Sequence, residues 1–298
     1  MAVFLGLPLV IYLVFVISPF VQAVYYSMTS WSGFDNNMPF VGFGNYVKIF
    51  NDEIFMISVR NSIILAIFLP VITVILSLVL ATLVTIGGSS RGQIKGLKGS
   101  GFYRIVSFFP YVIPAVVIGI IWAQIYDPSS GLLNGLLNAI GLDGPANGFL
   151  GDPRTAMIAT MVVIVWGFVG FYMILFIAAI KGIPAETFEA ARIDGAGRFR
   201  TAITITIPLI RDNIQTAYVY MGILALDAFV YMSVLNSTGG PDNSTLVMAQ
   251  KLFTTAFTKG QFGLACAMGV VLAVITLIFS ALVFMVNRLT GGSKDVSE

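Results

Sequence analysis

The 298-residue chain has no histidine and a single cysteine, Cys266. One thiol cannot form an intrachain disulfide. Without histidine there is neither a thiolate–imidazole pair nor any of the usual zinc sites. Cys266 lies in an apolar run and reads as a small buried hydrophobe. Charge is scarce as well: Asp, Glu, Lys and Arg make up 10% of the residues, against roughly 25% in soluble domains. A formal charge of +2 gives no footing for nucleic acid. No Gly-x-x-x-x-Gly-Lys-Ser/Thr string occurs, not even in the glycine-rich stretches 87–101 and 291–293, so the chain lacks a P-loop to cradle ATP phosphates. Scattered carboxylates and missing imidazoles nominate no catalytic residue and no metal ligand, which argues against a membrane enzyme.

What the chain has in abundance is apolar length: 57% of its residues are hydrophobic. No charged side chain occurs before Asp35, between Arg60 and Arg91, between Arg104 and Asp127, between Arg154 and Lys181, or between Lys259 and Arg288. A sixth run, Asn213 to Asn236, is interrupted by Asp227. Each is about 20 residues or more, enough to cross about 30 Å of hydrocarbon at 1.5 Å per residue. The expected fold is all-α: a polytopic membrane protein forming one permease domain over 1–298. Its six transmembrane helices are placed near 3–28, 61–86, 105–126, 155–180, 213–236 and 263–287. Helices satisfy their own backbone in lipid, and the runs do not alternate as barrel strands do. Pro110 and Pro114 are expected to kink the third span, and Trp122 and Trp166 to serve as interface anchors or packing residues.

Basic residues set the orientation. With the N-terminus cytoplasmic, the inside loops hold eleven of them: Arg91, Lys95, Lys98, Arg104, Lys181, Arg192, Arg198, Arg200, Arg211, Arg288 and Lys294. Five remain outside or at the boundary: Lys48, Arg60, Arg154, Lys251 and Lys259. That asymmetry predicts both termini in the cytoplasm of a multi-pass bacterial plasma (inner or cytoplasmic) membrane protein. Val21-Gln22-Ala23 has the small-residue look of a signal-peptidase site, but no basic residue precedes the long first run. An uncleaved first span is the better reading, in a chain whose natural start can lie further upstream. The external segments, including Leu132 to Leu142 with leucine and isoleucine at helical spacing, either pack on the tops of the spans or form a docking surface for an external protein.

The segment 181–211 is the hydrophilic exception. Pro184 suits a first helical position, Glu186 and Glu189 favour the positive end of a helix dipole, and Ala190, Ala191 and Arg192 favour helix. Gly195 is a stop, and a second helical stretch runs from Arg198 toward Pro208. The expectation is two short helices joined at a glycine hinge on the cytoplasmic face. Phe188 and Ala191, three residues apart, offer an apolar ridge to a partner's groove. The competing reading is a basic interfacial helix resting on anionic lipid.

These residues carry a resemblance. Glu189-Ala190-Ala191, then Gly195, Ile205 and Ile207-Pro208, resembles the loop signature of ABC importer permeases, with Ile207 where the family has leucine. Asp194-Gly195-Ala196 matches its common form. Phe40-Val41-Gly42-Phe43-Gly44-Asn45-Tyr46 resembles the family's Phe-Val-Gly-Leu-x-Asn-Tyr element, and Asn61-Ser62 its Asn-Thr. Thr238-Gly239-Gly240-Pro241 with Ala256-Phe257 and Gly263-Leu264-Ala265 resembles the run before the last span. Together they cover most of the chain and are similar to binding-protein-dependent carbohydrate permeases of the maltose and glycerol-3-phosphate type. The absent C-terminal Gly-Ala-Val-Lys-Gly-like ending makes it similar to the first permease of such pairs. Gly239 to Thr245 has a fainter similarity to actinobacterial amino-sugar or chito-oligosaccharide permeases.

The resemblance implies a type I importer architecture that moves a sugar or oligosaccharide inward by alternating access. It implies a second, distinct permease subunit, two ATP-binding subunits that hold ATP and magnesium, and an external solute-binding protein. No cofactor is implied in this chain, which is not itself an enzyme. Glu189 would make a polar contact with the ATPase, Phe188 and Ala191 would pack, and Gly195 would set backbone shape, with Glu186, Ala190, Asp194 and Pro208 completing the coupling segment. The alternatives are an ATP-independent secondary transporter, or an ABC permease for a non-sugar solute such as glycerol-3-phosphate.

For the pathway, a mid-membrane acid costs about 2.5–3.5 kcal/mol on insertion scales, so Asp227 either faces an aqueous path or pairs with a polar group on the partner permease. At helical spacing Tyr220, Asp227, Tyr231 and Val234 share a face. Aromatic rings stack on sugar faces and a carboxylate accepts sugar hydroxyls, which makes Tyr220, Asp227 and Tyr231 candidate pathway residues.

Overall fold

A computed structural model describes residues 2–86, 97–145 and 147–289. Arg91, Lys95, Lys294 and most of the two glycine-rich stretches lie outside the described residues. In chain order the helices are α1 Ala2–Tyr12, α2 Ser18–Tyr26, α3 Gly44–Phe50, α4 Glu53–Ile86, α5 Ser100–Val112, α6 Ala115–Ile125, α7 Leu132–Ala139 and α8 Ala156–Lys181. They continue with α9 Ala185–Ile193, α10 Arg198–Thr201, α11 Ile207–Leu209, α12 Arg211–Leu226, α13 Phe229–Leu235, α14 Met248–Phe253 and α15 Phe262–Leu289. The described residues contain no strand, only an isolated bridge between Thr29 and Phe40.

Phe4–Tyr26, Glu53–Thr85, Ala156–Lys181 and Phe262–Leu289 are each long and apolar enough to cross a membrane. Two further apolar stretches are broken. α5 and α6 meet at 99°, and α12 and α13 at 48°. The expected third span is therefore no kinked rod but two helices nearly at right angles. The cause is local: Pro114 takes an extended backbone (φ −56°, ψ 138°) and Ile113 is extended before it, as a residue preceding proline prefers.

Two prolines are absorbed differently. π-helical turns at Leu13–Ile17 and Ala202–Thr206 each come two residues before a proline, Pro19 and Pro208. A proline cannot donate to the carbonyl four residues back and its ring crowds that oxygen. Widening the preceding turn relieves the crowding and lets the helix continue.

The centre of the bundle is α4 packed on α8 and α12, with α5 also on α8. Leu65, Leu69, Val163, Ile164, Met173, Phe176, Met221 and Met232 form its buried cluster. Small residues allow the close approach. Ser77 Oγ donates to Val169 O at 2.9 Å, and a Cβ at Gly170 would stand 1.7 Å from Ser107 O, so only glycine fits where α5 crosses α8. α1 and α2 stand apart from this core, and no residue of their most apolar window is buried.

Candidate functional site

Segment 182–210 joins α8 to α12. Pro184 sits at the N-cap of α9, one place before the position expected of it, and the helix starts at Ala185 with Glu186 in its first turn. Its end is closed by two backbone bonds, Ala196 N–H to Ala191 O at 2.9 Å and Gly195 N–H to Arg192 O at 3.0 Å. Gly195 has φ +73°, the left-handed residue that this closure requires. The stop read from the sequence is thus a specific backbone device. Beyond it α10, the π-turn and α11 carry the chain from Arg198 to Leu209. Thr204 Oγ1 donates to Arg200 O at 2.7 Å, and Pro208 is exposed.

Phe188 and Ala191 do not form an outward ridge. They are 6% and 5% exposed, and Phe188 belongs to the same buried cluster as Ile180 and Ile210. Burying a phenyl ring on the chain's own core gains about 1.5–3 kcal/mol, and the three-residue spacing that puts both side chains on one face turns them inward together. The outward surface carries Glu186, Glu189, Ala190 and Asp194, all exposed, and Ile193 at 87% exposure. Phe199, at 80%, stands beyond the hinge. Sequence reasoning missed both. A helical wheel would have found Ile193, which lies about 140° around the helix from Phe188.

The candidate pathway residues are also rearranged. The break between α12 and α13 falls at Asp227, whose backbone (φ −103°, ψ 33°) leaves the helix. Tyr220 is 66% exposed and Asp227 is exposed at the bend, whereas Tyr231 is 7% exposed. Tyr231 turns toward Phe168, ring centroids 6.3 Å apart. The single face expected for Tyr220, Asp227, Tyr231 and Val234 is therefore split by the bend, with Tyr231 in the core. Trp122 and Trp166 pack edge to face at 5.5 Å, as packing residues.

At the far end of α4, about 50 Å away along a 34-residue helix, the resemblance motifs meet one another. Asn45 Nδ2 donates to Ser27 O (2.8 Å) and Thr29 O (2.7 Å). Asn61 Nδ2 donates to Asn243 O and Leu246 O, both at 3.0 Å, and Met248 N–H donates to Ser62 Oγ at 3.0 Å. The loop so clamped has left-handed backbone at Asp242 and Asn243. Lys251 Nζ lies 3.0 Å from Asp52 Oδ2. Burial pushes the Asp52 carboxyl up, but Lys251 and the N–H groups of Phe55 and Ile54 outweigh it and hold the group below its ordinary 3.8. Asp127, in the turn before α7, is held at about 2, first by the Ser129 hydroxyl and then by the Ser130 and Ser129 N–H groups. Among the described residues no group of His, Cys, Asp and Glu comes together that could hold a metal ion.

The chain spans most of the length of the relatives it matches. It is 58% identical over 99% of its length to the diacetylchitobiose uptake system permease protein NgcF of Streptomyces coelicolor, covering 84% of that protein. It is 31% identical to the trehalose/maltose transport system permease protein MalF of Thermococcus litoralis, covering 94% of this chain and 90% of that one. In fold it matches a chain of a bacterial ABC transporter involved in import of the acidic polysaccharide alginate, with TM-score 0.81, 23% identity, and coverage of 97% and 95%. Residues 84–291 match the family model described as binding-protein-dependent transport system inner membrane component. With that match across most of its length, the chain belongs to the family of binding-protein-dependent transport system inner membrane components.

Proposed function

We propose that this chain is a non-catalytic translocation subunit of an ABC importer that brings an amino-sugar oligosaccharide of the diacetylchitobiose class into the cytoplasm. The sugar class follows the relative at 58% identity, and other relatives are named for multiple-sugar, trehalose/maltose and lactose transport. A glycerol-3-phosphate permease also appears among the relatives, at 26% identity, which makes that solute the second reading. Both termini and segment 182–210 face the cytoplasm. A distinct second permease completes the pathway, two ATP-binding subunits hold ATP and magnesium, and an external binding protein delivers the sugar.

The observation that carries this reading is the two-sided build of α9. Its inner face, Phe188 and Ala191, is rooted in the helix bundle, while Glu186, Glu189 and Ile193 project outward. A short helix fixed on one side and gripped on the other transmits displacement, because a packed core shifts as a unit. When ATP closes the ATPase pair, α9 moves with it and tilts the bundle outward, and hydrolysis reverses the tilt. Loaded binding protein and ATP thus bias one two-state equilibrium. Co-purification tests it: an ATPase subunit elutes with the wild-type chain, and Glu189→Lys weakens that association while leaving thermal unfolding unchanged. A chain that elutes alone, with full sugar uptake, overturns the reading.

A further inference from the structure

Five phenylalanine rings form a row at the end of the bundle away from segment 182–210. Phe34 lies against Phe262 with ring centroids 5.6 Å apart, Phe262 against Phe257 at 5.3 Å, Phe257 against Phe253 at 4.9 Å, and Phe253 against Phe229 at 5.0 Å. They come from four places in the chain: the loop after α2, the start of α15, the end of α14 with the turn that follows it, and the start of α13. The last ring, Phe229, stands two residues past the bend at Asp227. The outer end is fastened to α15, since Gly263 N–H donates to Trp31 O at 2.9 Å and Trp31 Nε1 donates to Asp35 O at 2.8 Å.

Core packing does not account for this row, because Phe34, Phe257 and Phe253 are 78%, 60% and 45% exposed. Lipid does not account for it either. Asp35 and Lys259, both exposed, stand within two residues of Phe34 and Phe257, so the outer end meets water. Aromatic belts at a membrane surface are built of Trp and Tyr, and this row is all Phe. Large apolar side chains held together in water mark a binding surface. The backbone points the same way. Phe257 lies in a third π-turn, Thr254–Thr258, and no proline follows it, unlike the other two. A widened turn without that cause belongs to the kind that gathers at functional sites.

A ligand for such a row has flat apolar faces, a polar rim and a repeat close to the step between the rings. Linked pyranose rings meet all three demands: their C–H groups cover the faces and their hydroxyls stay at the edge, within reach of water. An external protein would use the outer rings, Phe34 and Phe257, but has no use for a row that continues through Phe253 and Phe229 to the bend.

We propose that Phe34, Phe262, Phe257, Phe253 and Phe229 form a stacking lane that takes successive pyranose rings and leads an oligosaccharide from the outer face to Asp227. The choice of an amino-sugar oligosaccharide rests on the function proposed above. The lane itself lies wholly within this chain, so sugar reaches it without the second permease or the ATP-binding subunits.

The test is direct. The full chain carries para-fluorophenylalanine at position 257, in nanodiscs, and its fluorine resonance is followed as sugar is added. Diacetylchitobiose shifts the resonance and glycerol-3-phosphate does not. Phe253→Ala, which removes the adjoining ring, raises the half-saturating sugar concentration roughly threefold to tenfold, the factor that goes with losing one aromatic face. Phe253→Leu does the same, whereas Phe253→Tyr keeps the wild-type response. Leu and Tyr both keep bulk, so their comparison carries the test if Phe253→Ala does not fold. No shift with sugar, an equal shift with glycerol-3-phosphate, or a Phe253→Leu chain that responds as wild type does overturns the proposal. A shift that appears only when an external binding protein is added, with no sugar present, assigns the row to protein docking and overturns it too. The response needs no transport: a chain that shows it yet supports no sugar uptake sinks the transport reading alone.

Discussion

Asp52 divides its carboxylate between two tasks: Oδ2 stands 3.0 Å from Lys251 Nζ, while Oδ1 accepts the N–H groups of Ile54 at 2.9 Å and Phe55 at 3.3 Å. The second set makes it the cap of α4, whose 34 residues run through the centre of the bundle. The first set ties α4 to α14, and with Asn61 and Ser62 it fastens the loop before α14 to the same helix.

Removing this carboxylate uncaps a helix and leaves Lys251, 7% exposed, without its counter-charge. Asp52 itself is partly solvated, its side chain 35% exposed, so the loss from Asp52→Asn is discounted to about 1–2 kcal/mol. Adding Lys251→Met to that variant recovers most of it, since the uncompensated buried charge is then gone. Thermal unfolding of the purified chain in detergent measures both. A double variant no more stable than Asp52→Asn would refute the pairing.

The same carboxyl gives a pH dependence with a definite sign. Its folded pKa lies below the unfolded 3.8. A group depressed on folding contributes stability above its unfolded pKa and loses it as pH falls through the folded value. The wild-type melting temperature therefore carries this group's full contribution above pH 3.8, with no further gain as pH rises, and loses it as pH falls below 3.8; Asp52→Asn flattens that acid limb. An acid limb of unchanged depth in the variant would assign the loss to other carboxylates.

The two faces of α9 separate stability from coupling. Phe188→Ala opens a cavity in the core and costs about 3–5 kcal/mol of stability. Ile193→Ser, at a position 87% exposed, leaves unfolding within about 0.5 kcal/mol of wild type while weakening the grip of an ATPase subunit. If Phe188→Ala unfolds as wild type does, the inward orientation of the ring is wrong.

Gly195 tests the helix stop. With φ +73° and nothing within 4 Å of a built Cβ, a side chain there meets no steric wall, only backbone strain. Gly195→Val costs about 1–2 kcal/mol, felt locally at the end of α9. Gly195→Asn, which tolerates the left-handed region better, costs less. Hydrogen exchange across 185–201 reads the difference directly. Equal protection in wild type and Gly195→Val would refute it.

Much of this was legible in the chain because lipid simplifies the problem: charge-free runs must be helical, and Gly195 announces a stop. What was not legible is what depends on neighbours. The sequence places Phe188 on an apolar stripe but cannot say whether its own core or a partner's groove covers it. Pro114 reads as a kink and Pro208 as the far end of a helical stretch, yet the chain breaks by 99° at Pro114 and a π-turn absorbs Pro208. Asn45 and Asn61 stood inside recognised motifs, but their roles need the carbonyls of loops nearly 20 and more than 180 residues away.

The bend at Asp227 yields the last prediction. Because Tyr220 and Asp227 are exposed and Tyr231 is buried against Phe168, the three candidate pathway residues should not behave alike. Under the proposed transport reading, Asp227→Asn and Tyr220→Ala lower uptake of labelled diacetylchitobiose with the melting temperature unchanged. An exposed side chain is not part of the packing, and in a membrane an acid at a helix break faces water or a partner. Tyr231→Ala instead lowers stability by about 3–5 kcal/mol, as large-to-small core substitutions do, and loses uptake through that instability. Its conservative variant Tyr231→Phe keeps the ring and retains uptake. Normal unfolding of Tyr231→Ala with altered sugar selectivity would return that residue to the pathway and refute the split. Normal uptake by both Asp227→Asn and Tyr220→Ala would remove the exposed pair from it.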